Sequence, residues 1–127
     1  MDVEEFLRDT TVRVSTARYA VAQVNEPVPD AFATVQAPSE TTAVVEEARL
    51  DALEPLAVER GWRVLTFEVV LPFDLVGFLA RVATELAEAG VSIFALSAYS
   101  TDHVLVKESD LEAATGRLEA LGCVVDE

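Results

Sequence analysis

A chain of 127 residues with 23 acidic against 9 basic side chains, a formal net charge of −14, has the size of one domain or two very small ones and repels phosphate backbones, so nucleic acid is not an expected partner. Although 51% of the residues are hydrophobic, no run reaches the ~18 apolar residues of a membrane span and no basic n-region precedes an apolar stretch, which points to a cytoplasmic protein with no membrane contact. The single cysteine, Cys123, allows no internal disulfide and together with the single His103 falls short of a zinc ligand set, so no metal and no cofactor are expected.

Eight of the nine basic residues are arginine, and Lys107 is the one lysine. Acidic excess with scarce lysine fits a salt-adapted proteome, where the Debye length falls to ~3 Å at 1 M and self-repulsion is screened. A solvated acidic surface that keeps the chain soluble accounts for the same charge without any partner.

Asp2 to Leu7 reads as a short capped helix, Val12 to Val24 holds strand material, and Pro27 and Pro29 mark a loop. Phe32 to Ala37 and Thr41 to Glu46 read as strands joined by Pro38-Ser39-Glu40. Arg49 to Arg60 reads as helical, its regular part beginning near Pro55, and Gly61 leads into the next strand. In Val64 to Leu71, apolar Leu65, Phe67, Val69 and Leu71 alternate with Thr66 and Glu68, and Pro72 ends the strand.

Asp74 is placed to cap a helix whose Leu75, Leu79, Val82 and Leu86 recur at helical spacing, with Gly90 as its left-handed stop. Val91 to Ala98 reads as a strand buried on both faces, Tyr99 to Asp102 as a turn, and His103 to Lys107 as the partner strand. Ser109 with Glu112 forms a capping box for a helix carrying Leu111, Ala114, Leu118 and Leu121, which ends at Gly122 before a short strand at Cys123 to Val125. The order β-α-β-β-α-β describes an α+β, ferredoxin-like sandwich of four antiparallel strands with both helices on one face. It occupies 61–127, and 1–60 reads as a shorter, degenerate version of it.

Two features carry chemistry. Gly77 stands in the first turn of a strong helix, where glycine costs ~1 kcal/mol relative to alanine. Either the missing side chain lets a ligand carboxylate approach free N–H groups, or the helix packs closely on a neighbouring strand. Asp102, at a strand–strand turn, offers a carboxylate to a cation, or serves only the turn. A free amino acid carries both charges. In a β-α-β-β-α-β unit the first β–α loop is expected at the sheet end opposite the second turn, so a site using both residues needs a second copy or the first half of the chain. His103 reads as a satisfied edge histidine, Trp62 as a core or seam aromatic, and Cys123 as a small buried hydrophobe. No serine or cysteine has a recognisable base and orienter, so no catalytic residue is assigned and the chain is read as a non-enzyme.

The run Phe73-Asp74-Leu75-Val76-Gly77, the segment Leu86 to Phe94 and Ser97 to Val106 (SAYSTDHVLV) together resemble the ACT-domain superfamily, in particular two-unit ACT-like proteins related to the cytosolic arginine sensors of animals. Arg18-Tyr19 and Glu40 to Val45 are similar to the degenerate first unit of those proteins. The resemblance implies an amino acid held between ACT units, by Gly77 with Val76 and Phe78, by Asp102 with Thr101, and by the backbone of Thr42 and Ala43, where relatives commonly carry Ser-Val. It implies an allosteric, amino-acid-binding sensor working as a homodimer. A ligand-free structural or partner-binding ACT dimer is the alternative, motivated by Thr42-Ala43.

Overall fold

The structure, a computed structural model, describes residues 2–127. In chain order the elements are α1 (Val3–Leu7), β1 (Thr11–Val14), β2 (Tyr19–Val24), β3 (Ala33–Gln36), β4 (Thr41–Glu46), β5 (Ala57–Phe67), α2 (Phe78–Glu88), β6 (Ile93–Ser97), β7 (Asp102–Lys107), α3 (Leu111–Ala120) and β8 (Val124–Asp126), with 3-10 turns at Glu47–Ala52 and Glu108–Asp110. They form two units, one made of the residues up to Thr16 together with Arg63–Glu127, the other of Ala17–Trp62. The division therefore differs from a single cut after residue 60: the first strand belongs with the C-terminal region.

In the larger unit the strand order is β6-β7-β5-β1-β8. Alternation in Thr11–Val14 sends Val12 and Val14 into the core and leaves Arg13 outside, so this segment fits beside β5, antiparallel to it, and β8 then lies parallel to β1. Four antiparallel strands were expected; five are present, because the N-terminal strand takes the place next to β5. On the outer face Arg13 bridges Glu68 at 2.8 Å and Asp126 at 2.9 Å.

One face of this sheet meets the helices. Phe78, Val82 and Leu86, spaced by four, form the buried stripe of α2 and meet Leu65, Phe67, Val104 and Val106, with Leu7 of α1 and Leu118 of α3 in the same core. Phe67 and Phe78 pack edge to face, centroids 5.3 Å apart. Each such side chain withdrawn from water contributes about 1.5–3 kcal/mol. Glu85 joins the helices, 3.0 Å from Arg81 and 3.4 Å from Arg117, and the Arg81 hydrogen bond holds its carboxyl below the usual carboxylate range. The helices end alike: Gly90 N–H bonds to Ala87 and Val91 N–H to Leu86, as Gly122 N–H bonds to Glu119 and Cys123 N–H to Leu118.

Three local expectations are corrected here. The strand expected over Val91 to Ala98 is Ile93–Ser97, and none of its residues is fully buried: it is an edge strand on a sheet whose helices cover one face. The Ser109/Glu112 capping box does not form, because the 3-10 turn absorbs Ser109 and α3 begins only at Leu111. The strand expected to reach Leu71 ends at Phe67.

The smaller unit is an antiparallel sheet in the order β3-β4-β2-β5, the last contributing Ala57–Trp62. Its core is built from small residues, Ala20, Ala22, Val24, Ala43 and Val45, closed by Val28 and Leu50. The helix expected over Arg49 to Arg60 is absent: Glu47–Ala52 is a 3-10 turn, and Ala57 already pairs with Gln23 of β2. Pro55 denies the helix a donor, and pairing with β2, which brings Val58 against this core, overrides the local helix preference of the segment. Gly61 lies inside β5, where the pairing with β2 shifts register. The longest helix in the described residues has 11 residues, and no helix among them is long and apolar enough to cross a membrane.

Candidate functional site

β5 ends at Phe67, and the segment that follows is held against the β6–β7 hairpin. The N–H of Leu71 donates to the carbonyl of Ser100 at 2.7 Å, and the hydroxyl of Thr101 donates to the carbonyl of Phe67 at 2.8 Å. The hairpin closes on itself through the N–H of Ala98 and the carbonyl of Thr101, 2.9 Å apart. Between the segment and the hairpin lies a cavity of about 380 Å³, lined by both of them and by the first turn of α2.

Gly77, not Asp74, is the N-cap of α2, with φ at 91°. A side chain added there would meet nothing within 4 Å. Neither close packing nor a crowded approach therefore explains this glycine; the left-handed backbone does, at a conformation that costs an L-residue about 1–2 kcal/mol. The consequence is geometric. The turn aims the chain so that Gly77, Phe78, Leu79 and Ala80 border the cavity, with the carbonyl of Gly77 accepting the first helical bond from Arg81 at 2.9 Å. The N–H groups of Phe78, Leu79 and Ala80 precede that bond and have no partner within the helix, and no side chain caps them. This end of α2 carries the positive pole of its dipole.

Asp102 borders the same cavity, and one of its carboxylate oxygens accepts the hydroxyl of Ser97 across the hairpin at 2.6 Å. Gly77 and Asp102 thus meet around one cavity in a single copy of the chain, contrary to the expectation that they occupy opposite sheet ends. The reason is directional: α2 returns antiparallel to β5, so β6 runs the same way as β5 and its hairpin with β7 lies where β5 finishes.

The other expected site residues divide. Thr101 lines the cavity. Phe78 does too, but its ring is 4% exposed against Phe67, leaving only its backbone for a ligand. Val76 is 85% exposed and is not among the lining residues. Thr42 and Ala43 lie on β4 of the smaller unit, Ala43 fully buried, and neither lines this cavity. Missed by sequence reasoning were Leu71, Ser97, Tyr99 and the side chain of Phe73, all of which line the cavity. Phe73 and Tyr99 stack edge to face at 4.9 Å while remaining 77% and 82% exposed. Two aromatics in a loop and a turn were the available signal.

Outside the cavity, the Nδ1 of His103 lies 2.8 Å from the hydroxyl of Thr66, and burial lowers its pKa against the opposing pull of the Asp102 charge. The Cys123 thiol donates to the carbonyl of Leu7 at 3.4 Å, and burial pushes its pKa up to about 11. A thiol so raised remains protonated and unreactive at neutral pH. Among the described residues no three His, Cys, Asp or Glu side chains gather where they could hold a metal ion.

The whole architecture recurs in known proteins. The chain is similar to protein Atu0741 from Agrobacterium tumefaciens, with 24% identity, a TM-score of 0.77, and 93% of this chain and 92% of that one covered. It is similar to VC0802 from Vibrio cholerae, a protein of unknown function described as a possible transport protein, with 27% identity, a TM-score of 0.72, and coverage of 94% and 95%. The ligand-free regulatory subunit of aspartate kinase from Thermus thermophilus shares the fold at 11% identity, with a TM-score of 0.68 and coverage of 87% and 95%. Residues 57–120, just over half of the chain, match the ACT domain family, and this chain belongs to that family.

Proposed function

We propose that the protein is a regulatory, non-catalytic ACT module that binds a free amino acid in the cavity between the start of α2 and the β6–β7 hairpin. The observation that carries this reading is the pairing of opposite poles in one cavity: unbonded helix N–H groups beside Gly77 and the carboxylate of Asp102. The α-carboxylate of the ligand takes the helix end and its ammonium takes Asp102. The likeness to a regulatory subunit of aspartate kinase supports the regulatory half of the reading. In this reading the protein acts in the cytoplasm as a homodimer, ligand binding altering its association; the edge strand β6, which among the described residues pairs only with β7, offers a backbone edge to a second copy.

Thermal unfolding in the presence of each of the twenty amino acids tests the proposal. A ligand at 100 times its dissociation constant stabilises the native state by about 2.7 kcal/mol, and Asp102→Ala should remove that gain. A flat response to all twenty removes the amino-acid reading. One observation favours a second reading, a structural or protein-binding ACT dimer: Val70, Phe73, Val76 and Tyr99 expose apolar surface beside the cavity mouth. Under it, Phe73→Ala weakens self-association and no amino acid shifts unfolding.

A further inference from the structure

We infer that the amino acid this cavity accepts has an uncharged apolar side chain, branched aliphatic or aromatic, and that acidic and basic amino acids are excluded. The inference rests on the amino-acid reading above and adds the side-chain class. A volume of about 380 Å³ lies at the small end of ligand pockets and has room for one amino acid. The charge inventory then decides the class. Asp102 is the one lining residue charged at neutral pH, and no basic residue lines the cavity.

With Asp102 committed to the α-ammonium, a lysine or arginine side chain finds no second carboxylate. An aspartate or glutamate side chain finds no cation, in a protein whose net charge is already −14. The side chains left for the ligand's own side chain are chiefly Leu71, Leu75, Leu79 and Ala98, with the Phe73–Tyr99 pair at the rim. The two lining hydroxyls, of Ser97 and Thr101, already donate to Asp102 and to the carbonyl of Phe67 and bring no charge. Burying an unpaired charge against such a wall is strongly unfavourable, whereas each apolar CH₂ covered there is favourable. The aromatic pair does not reverse this for a cation: both rings are largely exposed, and an exposed cation–π contact contributes only about 0.5–1 kcal/mol.

Isothermal titration of the full chain with L-leucine, L-phenylalanine, L-lysine, L-arginine and L-aspartate, at fixed ionic strength, tests the inference. Leucine or phenylalanine is expected to bind at least about tenfold more tightly than any charged competitor. Equal or tighter binding of lysine, arginine or aspartate overturns the side-chain assignment and leaves the amino-acid reading standing. Binding of none of the five at millimolar concentration overturns the side-chain assignment, and the amino-acid reading falls with it only when the thermal response to all twenty is flat as well. The double variant Phe73→Ala/Tyr99→Ala, altered only at exposed positions, should lose about tenfold in phenylalanine affinity. Unchanged phenylalanine affinity in that variant, with unliganded Tm within a few degrees of the parent, also overturns the assignment.

Discussion

The two hairpins of the chain are near copies set in different surroundings. In the smaller unit the N–H of Ala37 bonds to the carbonyl of Glu40 at 2.9 Å, and in the larger unit the N–H of Ala98 bonds to the carbonyl of Thr101 at the same distance. Each second strand buries three residues in a row, Ala43-Val44-Val45 and Val104-Leu105-Val106, and each leads into a 3-10 turn. The pair Gln36 and Thr41 occupies the register held by Ser97 and Asp102. What precedes the hairpin differs: an 11-residue helix with an open N-terminus in one unit, and in the other a connection from 25 to 32 containing Pro27 and Pro29. Under the proposed reading the hairpin is scaffold, and binding needs in addition a helix start beside it and a carboxylate on its second strand.

Core substitutions give the largest expected contrast. Phe67→Ala, in a core of large side chains, should cost about 3–5 kcal/mol, against about 2 kcal/mol for Val45→Ala in the small-residue core of the other unit; calorimetric unfolding with equal losses would break the comparison. Next comes a transplant. Thr41→Asp supplies the smaller unit with a carboxylate but no helix start, so the stoichiometry of amino-acid binding should stay at one per chain, and a second site in titration would show that the hairpin alone suffices.

Smaller effects separate backbone from side chain. Gly77→Ala should destabilise by about 1–2 kcal/mol through its left-handed φ, and Gly77→Asn should recover part of the loss. Gly116→Ala, inside α3 with nothing within 4 Å and no positive φ, should stabilise by about 0.5–1 kcal/mol. Equal signs would show that Gly77 is not held by its conformation. The smallest effect is pH-dependent. Burial disfavours the charged form of His103, so below its ordinary value near 6.5 the unfolded chain binds the proton more readily, and stability falls as pH drops through the lowered folded value. His103→Gln should flatten that part of a Tm-against-pH curve.

Strong periodicity made the C-terminal elements legible. Val82 and Leu86 announce α2, and the alternation around Leu65 and Phe67 announces β5. Where local preference and tertiary pairing disagree, the sequence misleads: the residues around Pro55 favour a helix but pair with β2. Gly77 and Asp102 stood out as residue types, and their shared cavity follows from β6 running in the direction of β5, which the β-α-β order already implies but which the expectation of opposite sheet ends took the wrong way round. The aromatic rim went unrecognised because Phe73 and Tyr99 lie 26 positions apart in irregular segments, outside any periodic pattern.

The strand lodged between β5 and β8 has a further consequence for how the chain is made. Ala17–Trp62 is continuous and can mature while translation proceeds, but β1 finds its parallel neighbour only when Val124–Asp126 leaves the ribosome; Arg13 and its partner Asp126 are separated by 113 positions. Until then Val12 and Val14 await their final neighbours, a long-range closure of the kind that slows folding and leaves nascent chains prone to aggregate. The larger unit is thus completed only after Ala17–Trp62, although its first strand is synthesised ahead of that segment.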